Sequence, residues 1–211
     1  MVKRNCPLPF IFYCLTDNIY DLPQNVVGIG VDKELALDSY WWKMCLFSLN
    51  WNELILYFDL DLVIQNDLTN IIKKIKRNKI LLIKPDDAGI DRSDDIILKH
   101  DAIVNSSVIG MYPVDHKDVF NFFTSNIDYN IINYYGIDRL ISHKFLQRCN
   151  YLDFSTDYYF RWKHDNTPSI FCENKIINNI TYSLAKDPNK TLCIFSQAEQ
   201  EMYEGMEEYL L

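Results

Sequence analysis

The segment LILYFDLDLVIQNDL, Leu54–Leu68, places two aspartates inside an otherwise apolar run. Short runs of this kind, rich in β-branched and aromatic residues, are typical of a buried strand. Because side chains alternate along a strand, Asp59 and Asp61 are expected on one side, with Cα atoms about 7 Å apart. Neighbouring carboxylates repel each other, and burial adds a desolvation cost. The segment therefore predicts a positively charged group beside the two aspartates.

Predicted strands and helices alternate on both sides of this segment. Strands are expected at PFIFYCLTD, NVVGIGV and KILLIKP, and a strand pair or a bulged strand at AIVNSSVIGMYP. Helices are expected at ELALDSYWWKMCLFSL, DLTNIIKKIKRN, HKDVFNFFTSNI, IDRLISHKFLQRC and the acidic end QAEQEMYEGMEEYLL, with residues 151–171 irregular. Such alternation predicts one α/β domain over residues 1–211, a Rossmann-like α/β/α sandwich with a mostly parallel central sheet.

Polar residues fall where several of the predicted strands end. Ligands of open α/β sheets bind at the carboxyl ends of the strands. Asp17, the Asp59–Asp61 pair and the Asn105–Ser106 pair all fall at or near such ends. Their convergence predicts a ligand site at one edge of the sheet.

Composition narrows the class of protein. The chain has 211 residues, 48% of them hydrophobic, and a formal net charge of −8, which argues against binding to duplex nucleic acid. A divalent metal held by acidic residues could still attract a small anion. The six cysteines are irregularly spaced, as expected for reduced thiols in a cytoplasmic protein. No apolar run is long enough for a membrane span, and the N-terminus is interpreted as a first strand, not a signal peptide.

Asp59, Asp61 and Lys43 are the first site candidates, and each has a simpler alternative. The two carboxylates could bind Mn²⁺ or Mg²⁺ shared with a phosphate-bearing substrate, or they could be solvated at the tip of a strand. Lys43 lies in a largely apolar helical segment, SYWWKMCLF. Its ammonium could face a diphosphate, or it could extend from a core helix into solvent.

Thr16, Asp17 and Asp138 are further candidates. Thr16 and Asp17 follow the first predicted strand, where they could bind the ribose or base of a nucleotide or cap a turn. Asp138 follows a glycine at the start of a predicted helix. It could contact an acceptor hydroxyl and act as a base, although an N-cap role is the simpler interpretation.

Taken in order, these segments resemble the nucleotide-sugar glycosyltransferases of the GT-A fold. They are most similar to the small domain with which large algal viruses, the chloroviruses, glycosylate their capsid protein. The resemblance runs through most of the chain and is carried by FYCLTDNIY, WWKMCLF, ILYFDLDLVIQNDL, VNSSVIGMYP, GIDRLI and YFRWKH. The D-x-D motif of that family corresponds to Asp59-Leu60-Asp61.

The resemblance implies metal-dependent transfer of a sugar, of glucose or rhamnose type, from a UDP-sugar to a glycan or glycoprotein acceptor, in the host cytoplasm if the chain is viral. Asp61 would be the main Mn²⁺ or Mg²⁺ ligand, and Asp59 would share metal and ribose contacts. Lys43 would face the diphosphate. The remaining assignments place Thr16 and Asp17 at the nucleoside, Asn105 and Ser106 at the donor sugar, and Asp138 at the acceptor.

The sequence departs from the family pattern at two places and leaves two other functions open. CIFSQAEQ, with Ser196 and Gln197, replaces the late F-H-G segment whose histidine completes the metal shell in many relatives, and Arg139 follows Asp138 where the family has Gln. A phosphatase of the haloacid-dehalogenase type also carries D-x-D after an apolar strand, but normally on its first strand. A non-catalytic module that binds a nucleotide or a glycan through a metal is the second alternative.

Overall fold

The computed structural model describes residues 2–31, 39–59, 62–64, 66–84, 102–153, 158–160 and 170–172. Within these ranges the strands are β1 Phe12–Thr16, β2 Val26–Gly30, β3 Ile55–Phe58, β4 Leu62–Ile64, β5 Ile80–Ile83, β6 Asn105–Met111, β7 Cys149–Leu152, β8 Tyr158–Phe160 and β9 Ile170–Cys172. The α-helices are α1 Val2–Asn5, α2 Thr69–Lys74, α3 Lys117–Ser125, α4 Ile127–Tyr134 and α5 Ile137–Lys144. Single-turn and longer 3₁₀ segments lie at Ser39–Ser48, Pro113–His116 and Leu146–Arg148.

A four-stranded sheet in the order β3-β6-β5-β7 forms the centre of the described structure. All four residues of β5 are buried, and they alternate between its two faces. Ile80 and Leu82 belong to a core with the Ser39–Ser48 segment, α3 and α5. Leu81 and Ile83 belong to a second core with α2 and β4. Because both faces of the sheet are covered, the predicted α/β class with layers on either side of a sheet is confirmed.

The central sheet is mixed in direction. Strand β6 runs antiparallel to both of its neighbours, β3 and β5, whereas β5 and β7 are parallel. Parallel pairing also joins β1 to β2 and β8 to β9, and β4 pairs antiparallel with β9. A parallel component is therefore present, but the sequence prediction overstated it for the central sheet. Hydrophobic periodicity reports the period of a strand and carries no information on its direction.

The aspartate-bearing segment forms two strands instead of one. β3 ends at Phe58 and pairs with β6, while β4 begins at Leu62 and pairs with β9 in another sheet. Asp59 therefore lies just past the end of β3, and Asp61 is outside the described residues. The sequence did not indicate this change of sheet. Both halves of the segment are buried, although against different neighbours, so they form one continuous run of apolar residues.

Helix α4 and strands β8 and β9 also differ from the sequence prediction, and several predicted segments lie outside the described ranges. Helix α4, Ile127–Tyr134, was not predicted, since its Asn- and Tyr-rich sequence is a weak helix former. β8 and β9 occupy parts of residues 151–171, which were expected to be irregular. The CIFSQAEQ segment and the acidic end QAEQEMYEGMEEYLL, predicted as a helix, fall outside the described residues. The described cysteines Cys6, Cys14, Cys45 and Cys149 carry free thiols.

In the part of the chain that the structure describes, no helix combines the length and apolar character needed to cross a membrane.

Candidate active site

Residues from four elements meet at the edge of the central sheet where β3 ends: the Ser39–Ser48 segment, β3, β6 and α5. β6 runs antiparallel to β3, and Phe58, the last residue of β3, pairs with Val108, so the first residues of β6 extend beyond the end of β3. The backbone N–H of Asp59 donates a 2.8 Å hydrogen bond to the carbonyl oxygen of Ser107. Asn105 and Ser106 were expected near the carboxyl end of a strand. They lie at the amino end of β6, and its reversed direction brings them to the same edge.

Lys43 supplies the positive charge that the sequence predicts beside Asp59. Its Nζ lies 2.6 Å from Oδ2 of Asp59, and the two side chains are only 13% and 21% exposed. The ion pair stabilises both groups where water provides little solvation. Lys43 therefore neither extends into solvent nor stands unpaired on a core helix.

A second polar contact fixes the other oxygen of the same carboxylate. The hydroxyl of Tyr57 donates a 2.7 Å hydrogen bond to Oδ1 of Asp59. Tyr57 and Asp59 are two residues apart in an extended segment, so they share a side of the chain. With both oxygens held, the orientation of the carboxylate is set before any ligand binds.

Packing of the Ser39–Ser48 segment explains the position of Lys43. Its Trp41, Met44 and Phe47 side chains are fully buried and recur every third residue, which places them on one face of a 3₁₀ helix. Trp41 also stacks on Phe123 of α3, with ring centroids 4.9 Å apart. These three anchors hold the segment against the sheet while Lys43 reaches Asp59 from another face. An α-helix was expected here, but the spacing of the buried residues fits three residues per turn.

Ser106 connects Lys43 to Asp138. The Lys43 ammonium lies 3.3 Å from the carbonyl oxygen of Ser106 and 3.5 Å from its Oγ. The backbone N–H of Ser106 donates a 2.9 Å hydrogen bond to Oδ1 of Asp138. Ser106 is itself buried, at 1% exposure. We refer to Lys43, Tyr57, Asp59, Ser106 and Asp138 as the charge cluster.

Asp138 does not cap its helix. Gly136 occupies the N-cap position of α5, with φ 157° and ψ 162°, a conformation that is essentially restricted to glycine, and no side chain caps this end. The carboxyl group of Asp138 faces β6 instead, which makes the N-cap interpretation of this residue wrong. Ser142 strengthens the same junction, since its hydroxyl donates to the carbonyl oxygen of Asp138 at 2.7 Å and accepts from the N–H of Ile103 at 2.8 Å.

Burial raises the pKa of Asp138 above its ordinary value. The hydrogen bonds from Ser106 and the charge of Lys43 act in the opposite direction, and the charge of Asp59 adds to the increase. Although the residue is partly exposed, its carboxyl group is enclosed, so desolvation dominates. A carboxyl group with a raised pKa is a stronger base than an ordinary carboxylate, which suits proton abstraction from a hydroxyl.

The remaining predicted site residues make local contacts. Oγ1 of Thr16 accepts a 3.1 Å hydrogen bond from the N–H of Asn18, which closes a turn after β1. Oδ1 of Asn105 accepts a 2.8 Å bond from the N–H of Ser107. Asp17 is exposed beside this turn. The hydrogen bonds of the charge cluster bring Lys43, Asp59, Ser106 and Asp138 together among the described residues, whereas roles for Thr16, Asp17 and Asn105 in binding stay predictions.

Asp59 is the described residue best suited to a divalent metal. Among the described residues each of its oxygens has one partner, and a carboxylate can accept about four hydrogen bonds or ligand contacts. Its oxygen donors match the preference of Mg²⁺ and Mn²⁺. Among the described residues, no group of three or more His, Cys, Asp or Glu side chains could hold a metal ion, and Asp61 lies outside that set. Asp59 thus fits one position of a metal shell.

The fold is that of GT-A glycosyltransferases. The structure is similar to that of the galactosyltransferase LgtC in complex with donor and acceptor sugar analogues, with a TM-score of 0.57 at 10% sequence identity over 81% of this chain and 78% of LgtC. An active-site mutant of LgtC gives a TM-score of 0.53 at 10% identity, over 82% and 78% of the two chains. At this identity the similarity concerns the fold. No protein-family model matches the sequence. No curated protein matches it either.

Proposed function

We propose that this protein is a metal-dependent glycosyltransferase that moves a sugar from a UDP-sugar to a hydroxyl group of a glycan or glycoprotein. The observation that carries the proposal is the charge cluster, which places a lysine and two carboxylates together at the strand-end edge of a GT-A fold. LgtC, which shares this fold, has been solved with donor and acceptor sugar analogues. The order of motifs in the sequence supports the UDP-sugar, of glucose or rhamnose type, and a role in viral capsid glycosylation.

Within this proposal Lys43 stabilises the departing diphosphate. Negative charge develops on the leaving nucleotide as the glycosidic bond breaks, and a preorganised ammonium lowers the energy of that state. The Asp59 carboxylate, held by Tyr57, would be one ligand of a Mn²⁺ or Mg²⁺ ion, with Asp61 as the predicted second ligand. The metal would act as a Lewis acid and stabilise the negative charge on the oxygens of the departing diphosphate.

Asp138 is assigned to the acceptor side of the reaction. If the sugar is transferred with inversion, its carboxylate, with a pKa raised by burial, accepts the proton of the acceptor hydroxyl. If the configuration is retained, Asp138 orients the acceptor instead. In both cases its hydrogen bond from Ser106 fixes the carboxyl group relative to Lys43.

A thermal-shift panel tests the donor assignment. UDP, GDP, CMP and ADP are added to the protein with and without Mn²⁺, and stabilisation is expected for UDP with Mn²⁺. Asp59→Asn should abolish that response. Asp118→Asn is the matched control, because Asp118 also forms an ion pair, with Arg148, but lies outside the charge cluster. Release of UDP from UDP-glucose and UDP-rhamnose then tests transfer and hydrolysis.

Each alternative function has its own outcome in this panel. A haloacid-dehalogenase-type phosphatase would show no preference for uracil and would release phosphate. A non-catalytic binding module would be stabilised by UDP with Mn²⁺ but would leave UDP-sugars intact even with a range of acceptors. A flat panel with folded protein would refute the proposed donor.

A further inference from the structure

The Asp59 carboxylate is already balanced by a positive charge. Lys43 lies 2.6 Å from Oδ2, and Tyr57 donates to Oδ1 at 2.7 Å. The pair is largely shielded from water, with exposures of 13% and 21%. A cation that binds Asp59 therefore meets a carboxylate whose charge is already paired with that of Lys43.

A divalent metal on Asp59 would stand beside the Lys43 ammonium. Two positive charges in contact with the same carboxylate repel each other strongly, because a partly buried site has a low effective dielectric constant. The Lys43 ammonium has few other acceptors to which it could move. Among the described residues its other acceptors are the carbonyl oxygen and Oγ of Ser106, at 3.3 and 3.5 Å, and both belong to a buried residue.

A diphosphate changes this balance. It carries negative charge that can neutralise the metal and the ammonium together, and it offers Lys43 an acceptor to replace Asp59. Bound diphosphate then lowers the electrostatic cost of binding the metal, and bound metal lowers the electrostatic cost of binding the diphosphate. Thermodynamic linkage requires the effect to be reciprocal.

We propose that Lys43 makes the binding of the metal and of the nucleotide diphosphate mutually dependent: it opposes binding of the metal alone and favours binding of the two together. This inference rests on the proposed function, because it takes Asp59 as a metal ligand and a nucleoside diphosphate as the leaving group. It goes beyond that function by giving Lys43 two effects of opposite sign. A lysine that only contacted phosphate would have no effect on the metal alone.

The test measures Mn²⁺ binding without catalysis. The protein is titrated with Mn²⁺ in the absence and presence of saturating UDP, and free Mn²⁺ is followed by electron paramagnetic resonance. The variants are Lys43→Met, Lys43→Gln and, as a matched control for loss of one lysine charge, Lys79→Met. Lys79 precedes β5 and its ammonium contacts the carbonyl oxygen of Gln147, outside the charge cluster. Lys43→Gln keeps a hydrogen-bond donor for Asp59, so it serves if Lys43→Met does not fold.

Without UDP, loss of the Lys43 charge should tighten Mn²⁺ binding about tenfold or more. The factor by which UDP improves Mn²⁺ affinity should fall about tenfold or more in the same variants. Lys79→Met should behave as the unmodified protein in both titrations. If folded neutral variants bind Mn²⁺ alone no more tightly than the unmodified protein, the coupling role of Lys43 is wrong. If the unmodified protein binds no Mn²⁺ even with UDP, the proposed function itself fails.

Discussion

Gly110 in β6 permits the close packing of α2 on the central sheet, and adding one methyl group there should destabilise the protein. A Cβ at this position would lie 2.7 Å from Cγ1 and 2.8 Å from Cδ1 of Ile75, and 3.2 Å from Cβ of Leu81. Ile75 is itself only 7% exposed, directly after α2, so its side chain cannot swing into solvent. Gly110→Ala therefore forces a shift in a packed core.

The size of the effect follows from two opposing contributions. Overpacking of a core costs about 1–3 kcal/mol, and replacing glycine by alanine in a strand recovers about 0.4–1 kcal/mol from the unfolded state. The net loss in the free energy of unfolding should be about 1–2 kcal/mol. For a domain of this size it corresponds to a melting temperature about 2–8 °C lower.

Urea denaturation of Gly110→Ala, followed by circular dichroism, measures this loss. Gly30→Ala is the matched control, because no atom of the described residues lies within 4 Å of a Cβ at Gly30, and it should be neutral or slightly stabilising. In an Ile75→Ala background the cost of Gly110→Ala should shrink, since the two closest atoms are gone. Equal costs in both backgrounds, or a Gly110→Ala protein as stable as the unmodified one, would refute the packing argument.

Three other perturbations test the site and its surroundings. Tyr57→Phe should weaken Mn²⁺-dependent UDP binding about tenfold in calorimetry, because hydrogen bonds to charged groups contribute about 1.5–3 kcal/mol. An unchanged affinity would show that Tyr57 does not contribute to the site. Asp138→Asn should reduce sugar transfer about 100-fold or more while UDP binding is kept, and an active variant would exclude it as the base. His116 is fully buried, and burial holds its pKa below the ordinary 6.5. The unfolded chain therefore binds the proton more readily than the folded protein does. As a result, the free energy of unfolding should fall as the pH drops below about 6.5. Urea midpoints at pH 7.5 and pH 5.5 should converge in His116→Leu, and an unchanged pH dependence would contradict this origin.

The sequence predicted strands that coincide with short apolar runs. β1, β2 and β5 were located from apolar runs with polar ends, and they agree with the structure to within a few residues. The pairing of a positive charge with Asp59 followed from electrostatics alone, and Lys43 fulfils it. Both results depend on local properties that a short segment contains in full.

Features that arise from contacts between distant segments were not predictable in the same way. The direction of β6 is set by its neighbours, so no pattern within NSSVIGM indicates that it is reversed. Asp138 fitted a helix cap from its local sequence, and only the position of Ser106 reveals its role in the charge cluster. Tyr57 lies in the apolar run and was not among the predicted site residues, although its separation of two residues from Asp59 was a usable signal that the two side chains share a side of the chain.

The charge cluster joins segments far apart in the chain, which has a consequence for folding. Lys43 and Ser106 are 63 residues apart, and Ser106 and Asp138 are 32 apart. Contacts of such long sequence separation form slowly, because the intervening chain must first be ordered. The Lys43 side chain should therefore remain open to amine-acylating reagents, which react with its neutral amine form, until β6 has docked between β3 and β5. The rate at which it becomes protected during refolding would report the moment at which the charge cluster is assembled.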